Sequence, residues 1–562
     1  MVIDGNSGQY KRSPAIMSID VEGGEMTRMS RASWAPSVRL KPGQPLTGDM
    51  LPNTLNTLID QGDYNSPISP GTLPSSLTVL EISCTFNQPI EPGVLPASLT
   101  RLEFGNDFDQ PFASDTLPQS LLKLELGAYY KQIIPAGVLP NSLTELDLNS
   151  CRAPTIFSPG TTPLSSSSLI KLFLQHDHEL KDITHLNKIV DLSFGYGFNT
   201  LLPPNSLPES LTRLQLGEYR HPLLPGVLPR SLVILHTGGY NLPIERVDIL
   251  PPSLKELEFG FFYNQQLLPG ILPNSITKLM FGFRFDQVIL SGSLPSMLTD
   301  LKFDEVYTKP ISPGALPDSL HRLTMSKFFD EPLSPGVLPG SLHTLEFGLN
   351  FNQPLITGVL SQSIQRLKFG RNFNQMIEPG ILPPHLIRLK FGQTFNQPIL
   401  PDTLPQSLTS LSFGLEFMQC LSEVAFPPNL KYVDIREQHD FLEGLPCDTV
   451  DCVKLQADDS TYIQYVIEQN QTRKHLVMVC TFDHDIEPII KQTSIQRLDI
   501  ILYDHVNIKE RYYIRPIDEQ REHVLVVHPD PMHNSPFGTM YWFSKVEDLP
   551  LTLDFIPKNK QD

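Results

Sequence analysis

Six histidines crowd the C-terminal segment: His475, His484, His505, His523, His528 and His533. The stretch HPDPMH sets two of them around Asp530. Imidazole with carboxylate is zinc-ligand chemistry, but such a site needs ligands on a rigid frame with partners behind them. A proline-rich loop supplies little of either, and the pair Cys447 and Cys452 is no better placed. The six cysteines, Cys84, Cys151, Cys420, Cys447, Cys452 and Cys480, are scattered, so neither a disulfide framework nor a four-thiolate zinc site is expected. No Ser-His-Asp set, nucleophile elbow, glycine-rich phosphate loop or kinase catalytic loop stands out. A pair of carboxylates in a cleft would suit glycoside hydrolysis, but such a site would interrupt the local pattern, and the acids here follow it. The expectation is therefore no catalytic residue, no cofactor and no metal. A carbohydrate-active enzyme remains only as an alternative.

The charges that recur at a fixed step are more informative. Glu81, Glu103, Glu125 and Asp147 stand 22 residues apart, as do Arg366 and Arg388, and Lys368 and Lys390. Arg322 and Lys302 lie upstream of the second set. Stacked carboxylates repel one another, and Arg101 and Lys123 in the adjacent column would offset this in part. One reading is a solvated, salt-bridged face; the other is a docking face, acidic early and basic late.

The elements that place these charges follow from the same period. Leu-Pro marks it at Leu51, Leu73, Leu95, Leu117 and Leu139, and again from Leu228 through Leu404, with Ser361 replacing one proline. Two degenerate units fill residues 160 to 206, and about 18 units are recognisable. In the unit at residues 95 to 116, Leu102 and Phe104 alternate with polar residues and predict a short strand. Gly105 opens a turn, Phe108 is apolar again, and a Gln-Pro and Leu-Pro limb returns the chain in polyproline-II and tight-turn conformations. Glycine recurs after the strand at Gly105, Gly127, Gly348, Gly370, Gly392 and Gly414, which would leave part of the outer face flat. One coil cannot bury its own core. Stacked coils can, with each strand pairing in parallel with the next. Asparagine or aspartate follows an aromatic residue in most units, as at Asn87, Asp109, Asn352, Asn374 and Asn396. The aromatic ring is expected to pack inside, and the amide to satisfy backbone groups where the strand ends.

The segments FNQPIEPGVLPASLTRLEFG (86–105) and FNQPILPDTLPQSLTSLSFG (395–414) resemble the FNIP repeat, a relative of leucine-rich repeats. The resemblance runs over roughly residues 45 to 436. It implies a right-handed solenoid used for protein interaction. Some members carry an F-box and act as ubiquitin-ligase adaptors, but residues 1 to 40 show no helical periodicity long enough for one. Substrate recognition for ubiquitin transfer is accordingly a second alternative.

Composition agrees with this reading. Proline is 53 of 562 residues, which excludes a chain of long helices. A formal charge of −18 disfavours nucleic acid and anionic membrane as partners. No run approaches a membrane span or an apolar leader, so a cytoplasmic setting is expected. The fold expected is an all-β-rich, leucine-rich-repeat-like solenoid with one parallel strand per unit of about 22 residues and Pro/Gly-rich convex turns. Residues 1–33 read as a disordered tail, 34–437 as the solenoid, and 438–562 as degenerate repeats with a β-rich cap, or else a small separate domain. The expected function is a non-catalytic scaffold that binds a protein partner through the sheet face. The candidate contacts are Arg322, Arg366, Lys368, Arg388, Lys390, Glu81, Glu103, Glu125 and Asp147, with partner identity and oligomeric state left open.

Overall fold

The computed structural model describes Ser37–Val38, residues 45–148 and 168–176 (49, 61 and 136 apart), residues 186–435, and beyond these Val450 and six strands that end at Phe543. The tail expected over 1–33, the loop 529–533 with His533, and Cys447 lie outside these residues. Two compact units divide the chain, residues 1–283 and 284–562.

Both units are parallel β-solenoids. In the first, twelve strands run from Ser37–Val38 to Lys278–Phe281. Successive strands pair in register 22 residues apart, as in Val79↔Arg101 and Arg101↔Lys123. The degenerate stretch between residues 160 and 206 supplies Lys171–His176 and Asp191–Gly197, which pair with each other in the same way. In the second unit the parallel ladder runs from Asp300–Phe303 to Arg497–Asp504. There the direction reverses. The strands Asn507–Pro516, Val524–His528 and Thr539–Phe543 add in antiparallel order. The expected strand His475–Cys480 is present, and the runs read as strands near residues 523 and 539 lie in this antiparallel end.

Each coil is held by three ladders. The first is apolar. Leu367 and Phe369 in the strand Arg366–Lys368 and its flank are 2% exposed, and Phe373 is fully buried. Phe351, Phe373 and Phe395 stack at 6.2 and 6.1 Å between ring centroids with nearly parallel planes, in the offset geometry that aromatic pairs prefer. Phe347, Phe369 and Phe391 form a second stack, and the two stacks meet at 3.9 Å between Phe369 and Phe373.

The second ladder is amide to backbone. Asn374 N–H donates to Asn352 Oδ1 at 2.8 Å, and Asn396 N–H donates to Asn374 Oδ1 at 2.9 Å. Aspartate serves equally well, because only an acceptor is required: Lys131 N–H donates to Asp109 Oδ1 at 2.7 Å. The following glutamine adds its own amide, Gln397 Nε2 reaching Asn374 Oδ1 at 3.2 Å. This explains Phe-Asn-Gln as a unit.

The third ladder is hydroxyl to backbone. In the Pro-x-Ser-Leu turn, Ser98 Oγ donates to the Leu77 carbonyl and Ser120 Oγ to the Leu99 carbonyl, both at 2.6 Å.

The recurring glycines correct one expectation. They do not flatten the outer face. A Cβ at Gly370 would run into the Gly348 carbonyl oxygen, and one at Gly392 into that of Gly370. Glycine stands there because the backbones of successive coils touch.

Two substitutions test this packing. Phe373→Ala is expected to cost roughly 3–5 kcal/mol by emptying one rung of the aromatic ladder. Gly370→Ala is expected to force its coil off the preceding one. Hydrogen exchange should show lost protection over residues 347–413 for each, and unchanged protection there would refute the stacking described.

Candidate functional site

The alternation that buries Leu and Phe sends the intervening strand residues outward. In the first unit these residues form a charged network. Arg101 Nη2 contacts Glu103 Oε1 at 2.6 Å and Glu81 Oε1 at 3.3 Å. Lys123 Nζ lies 3.0 Å from Glu103, 3.2 Å from Glu125 and 3.3 Å from Glu145. Asp147 is in register with Glu125 on the next strand. The four acids expected to share a column do so. Glu145 was missed, although it stands 22 residues after Lys123 in the neighbouring column and so follows the same rule.

The network divides its carboxylates by environment. Burial alone would raise Glu103, but the hydrogen bonds and charges of Lys123 and Arg101 hold it below the ordinary carboxylate value. Burial pushes Glu125 the other way, to about 7, helped by the negative charges of Glu103 and Asp147. Lys123 is itself partly buried, which disfavours its charge, yet its bonds to Glu103 and Glu125 raise it above an ordinary lysine. One proton shared among these acids therefore resides on Glu125 near neutral pH.

In the second unit the outward columns carry the basic residues. Arg366 pairs in register with Arg388, and Lys368 with Lys390. With Arg322 they line one shallow depression of about 320 Å³, together with Glu346, Ser410 and Ser412. Arg322 reaches Asp300 at 3.5 Å, and Lys368 Nζ bonds Glu346 Oε2 at 3.0 Å. Arg366, Lys368, Arg388 and Lys390 are all exposed. The five basic residues singled out from the sequence thus meet at one place. Glu346 was missed, though it is the strand residue 22 before Lys368. Among the described residues, no group of three or more His, Cys, Asp or Glu side chains is arranged to hold a metal, and no helix is long and apolar enough to cross a membrane.

The FNIP Repeat model matches residues 43–85, 86–129, 108–151, 198–236, 219–262, 263–306, 307–350, 351–394 and 395–437. The chain belongs to the FNIP repeat family. Among solved structures this FNIP-repeat chain is similar to CroV588, described as a novel circular leucine-rich-repeat protein, with 34% identity and a TM-score of 0.62. The match covers 80% of this chain and 66% of that one, so the chain spans just under two-thirds of CroV588. Two proteins of Listeria monocytogenes also match. The functional domain of InlJ, which includes a cysteine ladder, is 11% identical with a TM-score of 0.30, covering 85% of this chain and 83% of its own. The internalin InlF is 12% identical with a TM-score of 0.26, covering 70% and 92%. No curated protein matches. The FNIP repeats form a leucine-rich-repeat-like solenoid, as their sequence predicts.

The Glu125 shift gives a signed pH dependence. Its folded value, about 7, lies above the ordinary 4.5. Between these values the folded chain binds a proton that the unfolded chain releases, so stability falls as pH rises through that window and stays lower above it. Glu125→Gln is expected to flatten the fall. Urea midpoints at pH 5 and pH 8 for both chains would check this, and a wild-type midpoint that rises across the window would refute it.

Proposed function

We propose that this chain is a non-catalytic scaffold that docks a protein partner through the outward face of its parallel sheet. One observation carries the reading. The Leu, Phe, Asn, Ser and Gly of each coil are occupied in joining it to its neighbours, whereas the outward strand positions vary from coil to coil in charge and size. Arg366 and Lys368 stand where Glu145 and Asp147 stand in another coil. A surface whose residues are free of the stacking requirement is the place where recognition can be encoded. CroV588, the 34% identical relative, is a leucine-rich-repeat protein, which supports a scaffold over an enzyme. On the same footing we place the chain in a reducing, intracellular setting, where exposed thiols such as Cys84 and Cys420 persist.

Affinity capture from native cell lysate tests the docking face. Thr344→Trp with Ser410→Trp crowds the sheet face of the second unit, and Glu378→Trp crowds the return limb of the same coils instead. Partners lost from the first variant and kept by the second are the expected result. Retention of every partner by both would overturn the reading.

A further inference from the structure

Outward cations in this fold generally face an acid one coil away. Lys278 lies 3.1 Å from Glu256, Arg213 3.9 Å from Asp191, Arg322 3.5 Å from Asp300 and Lys454 3.3 Å from Asp434. The depression in the second unit departs from this rule. Arginine lies on arginine at Arg366↔Arg388, and lysine on lysine at Lys368↔Lys390. On one side these pairs adjoin Ser410 and Ser412. On the other they adjoin Thr344 and Glu346, and Glu346 bonds Lys368. Like charges directly opposite one another on neighbouring strands are destabilising. Here four cations share one carboxylate, in a chain whose formal charge is −18.

The spacing says what would neutralise them. Neighbouring strands lie about 4.8 Å apart, so each like-charged pair can straddle a single carboxylate. Along each strand, residues 366 and 368, or 388 and 390, are ~6.6 Å apart. An extended peptide laid along the strands presents same-side side chains at that interval. We propose that this depression binds an extended acidic segment of a partner protein through two carboxylates at positions i and i+2. The first sits between the guanidinium groups of Arg366 and Arg388, whose planar forks suit carboxylate oxygens. The second sits between the ammonium groups of Lys368 and Lys390. Glu346 competes for Lys368. The proposal rests on the sheet face being the docking face, and it adds the chemistry of the partner.

Fluorescence anisotropy on the full chain tests it, with fluorescein-labelled twelve-residue Gly/Ser peptides carrying a Glu-Ser-Glu, Glu-Glu-Ser or Gln-Ser-Gln core. Glu-Ser-Glu is expected to bind most tightly and to weaken as salt rises. Arg366→Gln with Arg388→Gln is expected to reduce its affinity by at least about tenfold. Glu346→Gln is expected to tighten it, and Lys278→Gln, remote and paired, to leave it unchanged. Equal affinity for Glu-Ser-Glu and Gln-Ser-Gln, or binding indifferent to the arginine substitutions, would overturn the proposal. Equal affinity for Glu-Ser-Glu and Glu-Glu-Ser would overturn the i, i+2 spacing. If the Thr344/Ser410 tryptophan variant loses its lysate partners while the arginine variant keeps them, the docking face stands and the acidic segment falls. If both keep them, the docking face falls as well.

Discussion

The structure depends on a hydrogen bond that a coil cannot make for itself. The amide after each core aromatic has no backbone acceptor within its own coil, and the Asn or Asp side chain of the preceding coil supplies one. Asn374 N–H on Asn352 and Asn396 N–H on Asn374 are two rungs of that ladder. The bond fixes the period. A coil longer or shorter by one residue would move the acceptor away from its donor and leave a part-buried amide unpaired, at a cost of about 1–3 kcal/mol. The aromatic stacks and the serine ladder then have the same spacing imposed on them. The short strands result from this arrangement. Three residues of parallel pairing per coil would be marginal alone, and they gain their order from the side chains on either side.

Because the joining chemistry occupies the same positions in every coil, it leaves the outward strand positions to be filled by other criteria. The two faces show different outcomes. Around Lys123 the charges are mutually satisfied, and the leftover repulsion is absorbed by moving a proton onto Glu125. Around Arg366 and Arg388 they are not, since register sets like on like. Both results follow from a single constraint, the parallel in-register ladder. It turns a linear sequence of outward residues into columns about 4.8 Å apart.

Much of this was legible in the sequence. The period, the buried leucines and phenylalanines, the acceptor role of Asn and the grouping of Arg322, Arg366, Lys368, Arg388 and Lys390 all follow from spacing alone, because adding 22 to a residue number gives its neighbour in space. Three things were not legible. Serine in the Leu-Pro turn read as turn chemistry, since its partner is a carbonyl in another coil and turn preference accounts for it without one. The glycine after the strand read as an outward position because period-two alternation was carried one residue too far. The chain has already turned there, and what matters is the backbone behind it. Glu145 and Glu346 were overlooked because each sits in a column named for its opposite charge, and the contact depends on side-chain reach across columns.

The ladders also have a sense. Each coil offers its Asn oxygen to the coil that follows and takes a carbonyl, through its serine hydroxyl, from the coil that came before. The two faces of a coil are therefore as different as a plug and a socket. Coils can be duplicated, lost or exchanged among themselves as whole modules, and any coil fits behind any other. None fits upside down. A lineage of such chains can vary its length by unequal recombination without inventing a new joint, and its outward residues travel with each module as it is copied.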